Sequence, residues 1–254
     1  MADTDFLTKL MDPYDWRARL YPCVLALIPP ISIWIFIYTV NIQVLNNVIG
    51  IIIACSLLYF LAYFSREKGK CLEPRLFTRW GGVPTTQLLR HCNQIIDPIT
   101  KNRYHVFLSE RINMQFPSYD EETHDSTKAD DIYSSSVRWL IANTRDTKKF
   151  HLLFQENIKY GVRRNCLGLK SFAIIIASCS IIWIFVSQHI ITTQGFYKNN
   201  IFALSHGVRI SLLVSSIMLI VWIFFVTRKT VKSAAFAYAE RLLSACDTLD
   251  EKHL

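Results

Sequence analysis

The sequence predicts an all-α membrane protein with four transmembrane helices. A helical cytoplasmic domain lies between the second and third helices, and a cytoplasmic helix follows the fourth. Three observations lead there. Of 254 residues, 51% are hydrophobic and the mean hydropathy is +0.23, more apolar than soluble domains of this size. The apolar residues are gathered into four runs, at 20–40, 44–64, 167–191 and 206–226. Each run matches the roughly 20 residues needed to cross a bilayer core. Basic residues avoid two of the connections between runs and crowd the rest of the chain, as the positive-inside rule requires of cytoplasmic segments.

Residues 1–19 read as a short cytoplasmic helix, with Asp12 as cap and Pro13 at its first position. Trp16 and Tyr21 suit the headgroup level. Asp3, Asp5, Asp12 and Asp15 precede the first run, where a cleaved signal would carry basic residues, so the run is read as a retained span. Residues 20–64 form the first transmembrane hairpin. Its first helix, "LYPCVLALIPPISIWIFIYTV", contains Pro29-Pro30, which removes backbone hydrogen bonds and bends the helix. The bend is either a fixed kink or the hinge of a gate. A re-entrant first pair is an alternative topology.

Residues 65–166 read as the helical cytoplasmic domain. Arg66, Lys68, Lys70, Arg75, Arg79, Arg90 and Arg103 lie in its first half, and basic residues continue to Arg163 and Arg164. Asp97-Pro98 caps a helix over "PITKNRYHVFLSERI". The acidic stretch 117–131 is a loop or a helix lead-in. Ile132, Val137, Leu140 and Ile141 mark one face of the next helix. Phe150, Leu153, Phe154 and Ile158 mark another, with no strong stop before the third apolar run, so one helix is expected to continue into it. Residues 167–226 form the second hairpin. The tail 227–254, rich in Ala, Leu, Glu and Arg, is a cytoplasmic helix. Orientation by charge places both termini inside, on the cytoplasmic face of the membrane.

Enzyme signatures are absent: there is no G-x-S-x-G, H-E-x-x-H, phosphate-loop lysine motif or G-x-G-x-x-G. No catalytic residue is assigned. His91, His105, His124 and His151 sit in no acid–base spacing. The seven cysteines form no C-x-x-C, so no metal site or cofactor is expected. The middles of the spans carry no Asp, Glu, Lys or Arg, which argues against ion-coupled transport. Hydroxyl and small residues remain. Ser178, Ser211 and Ser215 are candidates for a pore or gate together with Pro29 and Pro30, although close helix packing explains the same serines. A pore from four spans would require a homo-oligomer.

The stretch "RWGGVPTTQLLRH" (79–91) carries the candidate ligand site. Gly81 and Gly82 can adopt conformations closed to other residues. Pro84 opens a helix whose free N–H groups favour anions. Arg75, Arg79, Arg90 and Arg103 supply charge, and Trp80 a stacking face. A glycine turn before a proline-capped helix, set near anionic lipid headgroups, accounts for the same residues.

Four stretches belong together: "YDWRARLYP", "EPRLFTRWGGVPTTQLLRH", "DPITKNRYH" and "SSSVRWLIANTRDTKKFHLLFQENIKYGVRRNCLGLK". They resemble a family of small bacterial multi-pass membrane proteins over most of residues 12–170. The architecture is similar to the membrane effector of Hailong-type anti-phage defence. That resemblance implies a partner nucleotidyltransferase whose DNA oligomers hold the effector closed, and an ion channel that opens when infection releases it. The resemblance carries no binding residue onto this chain. The expectation is an oligomeric channel or pore-forming effector gated by a nucleotide or single-stranded DNA oligomer on its cytoplasmic domain. The alternatives are a membrane-anchored scaffold or sensor without conductance, and an enzyme acting on lipid or nucleotide.

Overall fold

The computed structural model describes residues 16–38, 48–192, 195–196 and 204–250, and these divide into two compact units. The expected N-terminal helix up to Asp15, with its Asp12-Pro13 cap, lies outside the described residues. So does the start of the expected second span, 44–47. Apart from one two-residue β ladder, Ile191–Thr192 with Gly195–Phe196, the regular structure described is helical.

The first unit draws on residues up to Leu72 and on Gly161–Thr230. A π-helical turn, Trp16–Leu20, leads into α1, Tyr21–Phe36. Helix α2 runs over Val48–Trp80. Helix α7, His151–Ser187, is continuous from polar sequence into the third apolar run, as the missing stop signal predicts. Helix α8, His206–Ile220, is capped by Ser205 and ends in a second π-helical turn, Val221–Phe225. Among the described residues, three helical segments are long and apolar enough to cross a membrane: Arg17–Phe36, the apolar part of His151–Ser187, and His206–Phe225.

The interior of this unit is made by small residues. Ala26, Ala62, Ala173 and Ala177 are buried, with Leu61, Leu169, Met218 and Trp222 around them. Without a hydrophobic gain between helices in lipid, close backbone approach is what supplies attraction. Helices α2 and α7 approach backbone to backbone. A Cβ on Gly168 would lie 2.6 Å from the Gly69 amide nitrogen. Asn165, also buried, donates from Nδ2 to the Ala18 carbonyl at 2.8 Å. Lys170 Nζ donates to the carbonyls of Ile223 and Val226, both at 2.8 Å, where the π-turn leaves them without helical partners. The outward faces carry Leu57, Phe60, Ile175, Ile182, Trp183, Leu213, Phe224 and Phe225, all exposed.

The second unit comprises Glu73–Tyr160 and the chain from Val231. It holds the last turns of α2, then α3 (Pro84–Leu89), α4 (Pro98–Ile112), α5 (Tyr119–His124) and α6 (Ser126–Asn143). The first turns of α7 follow, and α9 (Arg228–Leu243, from Val231) and α10 (Ala245–Asp250) complete it. Asp97 caps α4 as the sequence predicts, its Oδ1 accepting from Thr100 N at 2.9 Å. The acidic stretch contains a capping box: Ser118 accepts from Glu121 N, and the Glu121 carboxylate accepts from Ser118 N at 2.7 Å.

Two expectations are corrected here. The buried face of α6 is Ala129, Tyr133, Ser136, Val137 and Leu140, while Ile141 is exposed. Tyr133 fixes that rotation, because its large ring is fully buried while its hydroxyl reaches a carboxylate. The C-terminal helix, read from sequence only as a cytoplasmic helix, packs into this unit. Ala239, Leu242, Leu243, Ala245 and Cys246 are buried in one core with Leu88, Leu108, Tyr133 and Leu140. The compact domain is therefore built from 73–160 and the tail together, rather than from 65–166.

Candidate functional site

The Gly81-Gly82 pair ends α2. Gly82 N donates to Phe77 O at 2.9 Å and Gly81 N to Thr78 O at 3.4 Å. This double closure is the Schellman cap, and it needs a left-handed residue just past the helix. Gly81 supplies it with φ 88°, and Gly82 follows at φ 131°. The cap is held from outside by Arg90. Its Nε and Nη2 grip Asp130 at 2.8 and 2.5 Å, and its Nη1 donates to Gly81 O at 2.9 Å. That pairing, a charge-assisted fork, pushes the Arg90 pKa up further. Gln87 Nε2 adds a bond to Gly82 O at 2.6 Å.

Arg90 is thus engaged by the protein itself, and the glycines serve a helix end. Helix α3, opened by Pro84, is a single short element whose Gln87 N already bonds Val83 O at 2.9 Å. Arg103 pairs with Asp247 at 3.0 Å. Arg75 and Arg79 are exposed on α2, and Trp80, half-buried, rests against Phe77 with ring centroids 5.9 Å apart.

Behind the cap lies a polar network that sequence reading missed. Glu122, buried, accepts from His91 N at 3.0 and 3.1 Å and from the Tyr133 hydroxyl at 2.7 Å. Burial, then this carboxylate, drive the Tyr133 pKa far up. Lys101, also buried, donates to Arg90 O at 2.8 Å and to Asn93 O, and burial lowers its pKa. The His105 ring bonds Leu89 O through Nε2 at 2.7 Å, and burial pushes its pKa down to about 4. Each of these groups has a partner, so the network reads as a lock on residues 89–93 rather than as acid–base machinery. Nothing local in the acidic stretch distinguishes Glu122 from its exposed neighbours Asp120 and Glu121.

An open groove of about 280 Å³ adjoins this lock within the second unit. Phe77 from α2, Tyr160 from α7 and Tyr238 from α9 form aromatic walls. The last two rings are near parallel, 11° apart, with centroids 6.3 Å from each other. Tyr160 is fixed by its hydroxyl, which donates to Glu73 Oε1 at 2.7 Å. Thr86 Oγ1 and Ser134 Oγ, 3.4 Å apart, add polar atoms, and Arg138, exposed, is the one charged residue of the lining. Val83 to Thr86 of the quoted stretch line this groove, but none of Arg75, Arg79, Trp80, Gly81, Gly82, Arg90 and Arg103 does. The groove escaped sequence reading because its walls are separated by up to 161 residues, from Phe77 to Tyr238.

The pore and gate candidates fall within the first unit. Ser211 and Ser215 are fully buried on the α8 face that meets α1, and Ser211 Oγ donates to Ser32 O at 3.0 Å. They belong to helix packing inside one chain. Ser178 is half-buried on α7. Pro29 and Pro30 sit inside α1, with Ser32 Oγ bonded to Pro29 O at 2.7 Å. Among the described residues no group of three His, Cys, Asp or Glu side chains is placed to hold a metal ion. Compared with known proteins, the chain matches no family model, no curated protein and no solved structure.

Proposed function

We propose that the chain is a homo-oligomeric membrane channel or pore-forming effector. A nucleotide, or one unit of a short single-stranded DNA oligomer, gates it by occupying the groove of its helical domain. The observation that carries this reading is where the groove walls come from. Phe77 lies on α2 and Tyr160 on α7, and each of these helices continues into an apolar run, 48–64 and 167–187. A ligand wedged between those two side chains acts directly on helices that enter the membrane part.

The lining chemistry fits. Aromatic faces stack bases of any identity, by about 1–3 kcal/mol each. Arg138 offers one guanidinium for one phosphate. At about 280 Å³ the groove sits at the small end of ligand pockets, so it takes a single nucleotide and not a folded oligomer. The bacterial inner membrane, inward-facing termini and a role in anti-phage defence with a partner nucleotidyltransferase belong to the same proposal.

The test uses the full chain in liposomes. Potassium efflux is followed while deoxynucleoside monophosphates or short oligodeoxynucleotides are added, for the parent and for Arg138→Gln. The reading expects efflux that changes with nucleotide, and a response shifted at least about tenfold in concentration by losing the guanidinium. No efflux under any condition would remove the channel. A second reading, a scaffold or sensor that recruits a partner and conducts nothing, is favoured by Ile99, 83% exposed at the start of α4, with Ile95 exposed close by. Stable capture of one partner without efflux would select it.

A further inference from the structure

Helices α1 and α8 run antiparallel, and two contacts fix their register. Gly207 meets the Phe36 carbonyl, so closely that a Cβ there would overlap its oxygen. One turn further along α8, Ser211 Oγ donates to Ser32 O at 3.0 Å. Each step of four residues up α8 is a step of four down α1. The next position, Ser215, is therefore level with Ile28, beside Pro29-Pro30.

Prolines 29 and 30 carry no N–H, so the carbonyls of Leu25 and Ala26 lose their helical donors. A helical carbonyl points toward the residue four ahead, which puts the Ala26 oxygen about level with residue 28. Ala26 is on the buried face of α1. Ser215 Oγ is fully buried and has no hydrogen-bond partner. By this register, a donor without an acceptor lies near the level of a carbonyl that Pro30 deprives of its helical donor. In lipid both deficits are costly.

We propose that Pro29-Pro30 is a hinge and Ser215 its catch. The part of α1 after the prolines is pinned to α8 through Gly207 and Ser211. The part between the prolines and Ala18, whose carbonyl stays bonded to Asn165, bows about the break. In the second position Ser215 Oγ donates to the Ala26 carbonyl; in the position described here the two are apart. The pair of prolines removes the backbone bonds that would resist the bowing, and the hydroxyl gives the bowed helix a defined resting place. The hinge stands whether or not the assembly conducts.

The test is amide hydrogen exchange on the full-length chain in nanodiscs, read over residues 24–36. Ser215→Ala is compared in two backgrounds, the parent and Pro30→Ala. The alanine at 30 restores an N–H for the Ala26 carbonyl and removes a helix breaker, so folding is not at risk. The hinge expects Ser215→Ala to slow exchange in the parent by about threefold to tenfold, the range of one hydroxyl bond between membrane helices. It expects no further slowing in Pro30→Ala, because the catch has lost its acceptor. Pro29→Ala restores only the Leu25 partner and should leave the Ser215 effect in place. If Ser215→Ala leaves exchange unchanged in the parent, or slows it equally in both backgrounds, the catch does not exist. An effect abolished by Pro29→Ala instead would overturn the choice of Ala26 as acceptor.

Discussion

Replacing Gly168 by alanine puts the packing of α2 against α7 under direct strain. The new Cβ would stand 2.6 Å from Gly69 N, 2.9 Å from Lys68 C and 3.0 Å from Gly69 Cα. All three atoms are backbone, so no side-chain rotation relieves them. Ordinary contact begins at 3.4 Å, which leaves a shortfall of about 0.8 Å that only a local parting of α2 and α7 can supply. Overpacking of this kind costs about 1–3 kcal/mol. In a chain of this size each kcal/mol moves the melting temperature by about 2–4 °C, so a drop of about 2–12 °C is expected. The assay is loss of helical circular dichroism on heating the full chain in detergent. Gly69→Ala is the comparison. Its Cβ meets chiefly the Asn165 side chain, which can turn away at the loss of its bond to Ala18 O. Its drop should be the smaller of the two. A Gly168→Ala melting temperature within about 1 °C of the parent would refute the crossing.

Three further outcomes follow from the second unit. Gly82→Ala places a β-carbon at φ 131° and 3.0 Å from Arg90 Nη2, so it should cost about 1–2 kcal/mol of backbone strain and loosen the Asp130 fork as well. Gly81→Ala, with open space around it, should cost the strain alone; equal melting temperatures for the two would deny Arg90 its role as clamp. Tyr133→Phe removes a 2.7 Å bond to the buried Glu122 carboxylate and should cost about 1.5–3 kcal/mol, with most of that loss absent in a Glu122→Gln background. His105 has a folded-state pKa near 4 against an ordinary 6.5, because burial disfavours the imidazolium. The unfolded chain binds the proton first, so this contribution is intact above pH 6.5. It is lost as pH falls toward 4, by up to about 3 kcal/mol. Melting curves from pH 7 to pH 4.5 should show that loss in the parent and less of it in His105→Gln.

What the sequence revealed was local. The Asp97-Pro98 cap, the helix opened by Pro84 and the unbroken passage of α7 from polar to apolar sequence are all written in neighbouring residues. The acidic stretch was open to a loop or a helix lead-in, and the capping box at Ser118 and Glu121 decides for the helix. The Gly81-Gly82 pair was open to two readings, and its helix-ending role becomes plain only once Gly82 N is seen to reach back to Phe77 O.

Long-range pairings were not legible. Arg90 looks like a free cation until Asp130, 40 residues on, is brought against it. Leu242 and Leu243 fit an amphipathic tail equally well whether that tail packs on its own domain or lies free, because nothing within one helix names its partner. The groove could not be found for the same reason, since α2, α3, α6, α7 and α9 each contribute only one to four residues to it.

The ribosome delivers residues 73–160 before the chain from Val231, with two long apolar helices made in between. Until α9 and α10 emerge, Leu88, Leu108 and Tyr133 have no Leu242, Leu243 or Cys246 to cover them. The nascent domain must wait half-assembled, and a chain cut short after Val226 can never close it. Closure of this core is therefore tied to the making of both apolar helices that lie between its two halves in the chain.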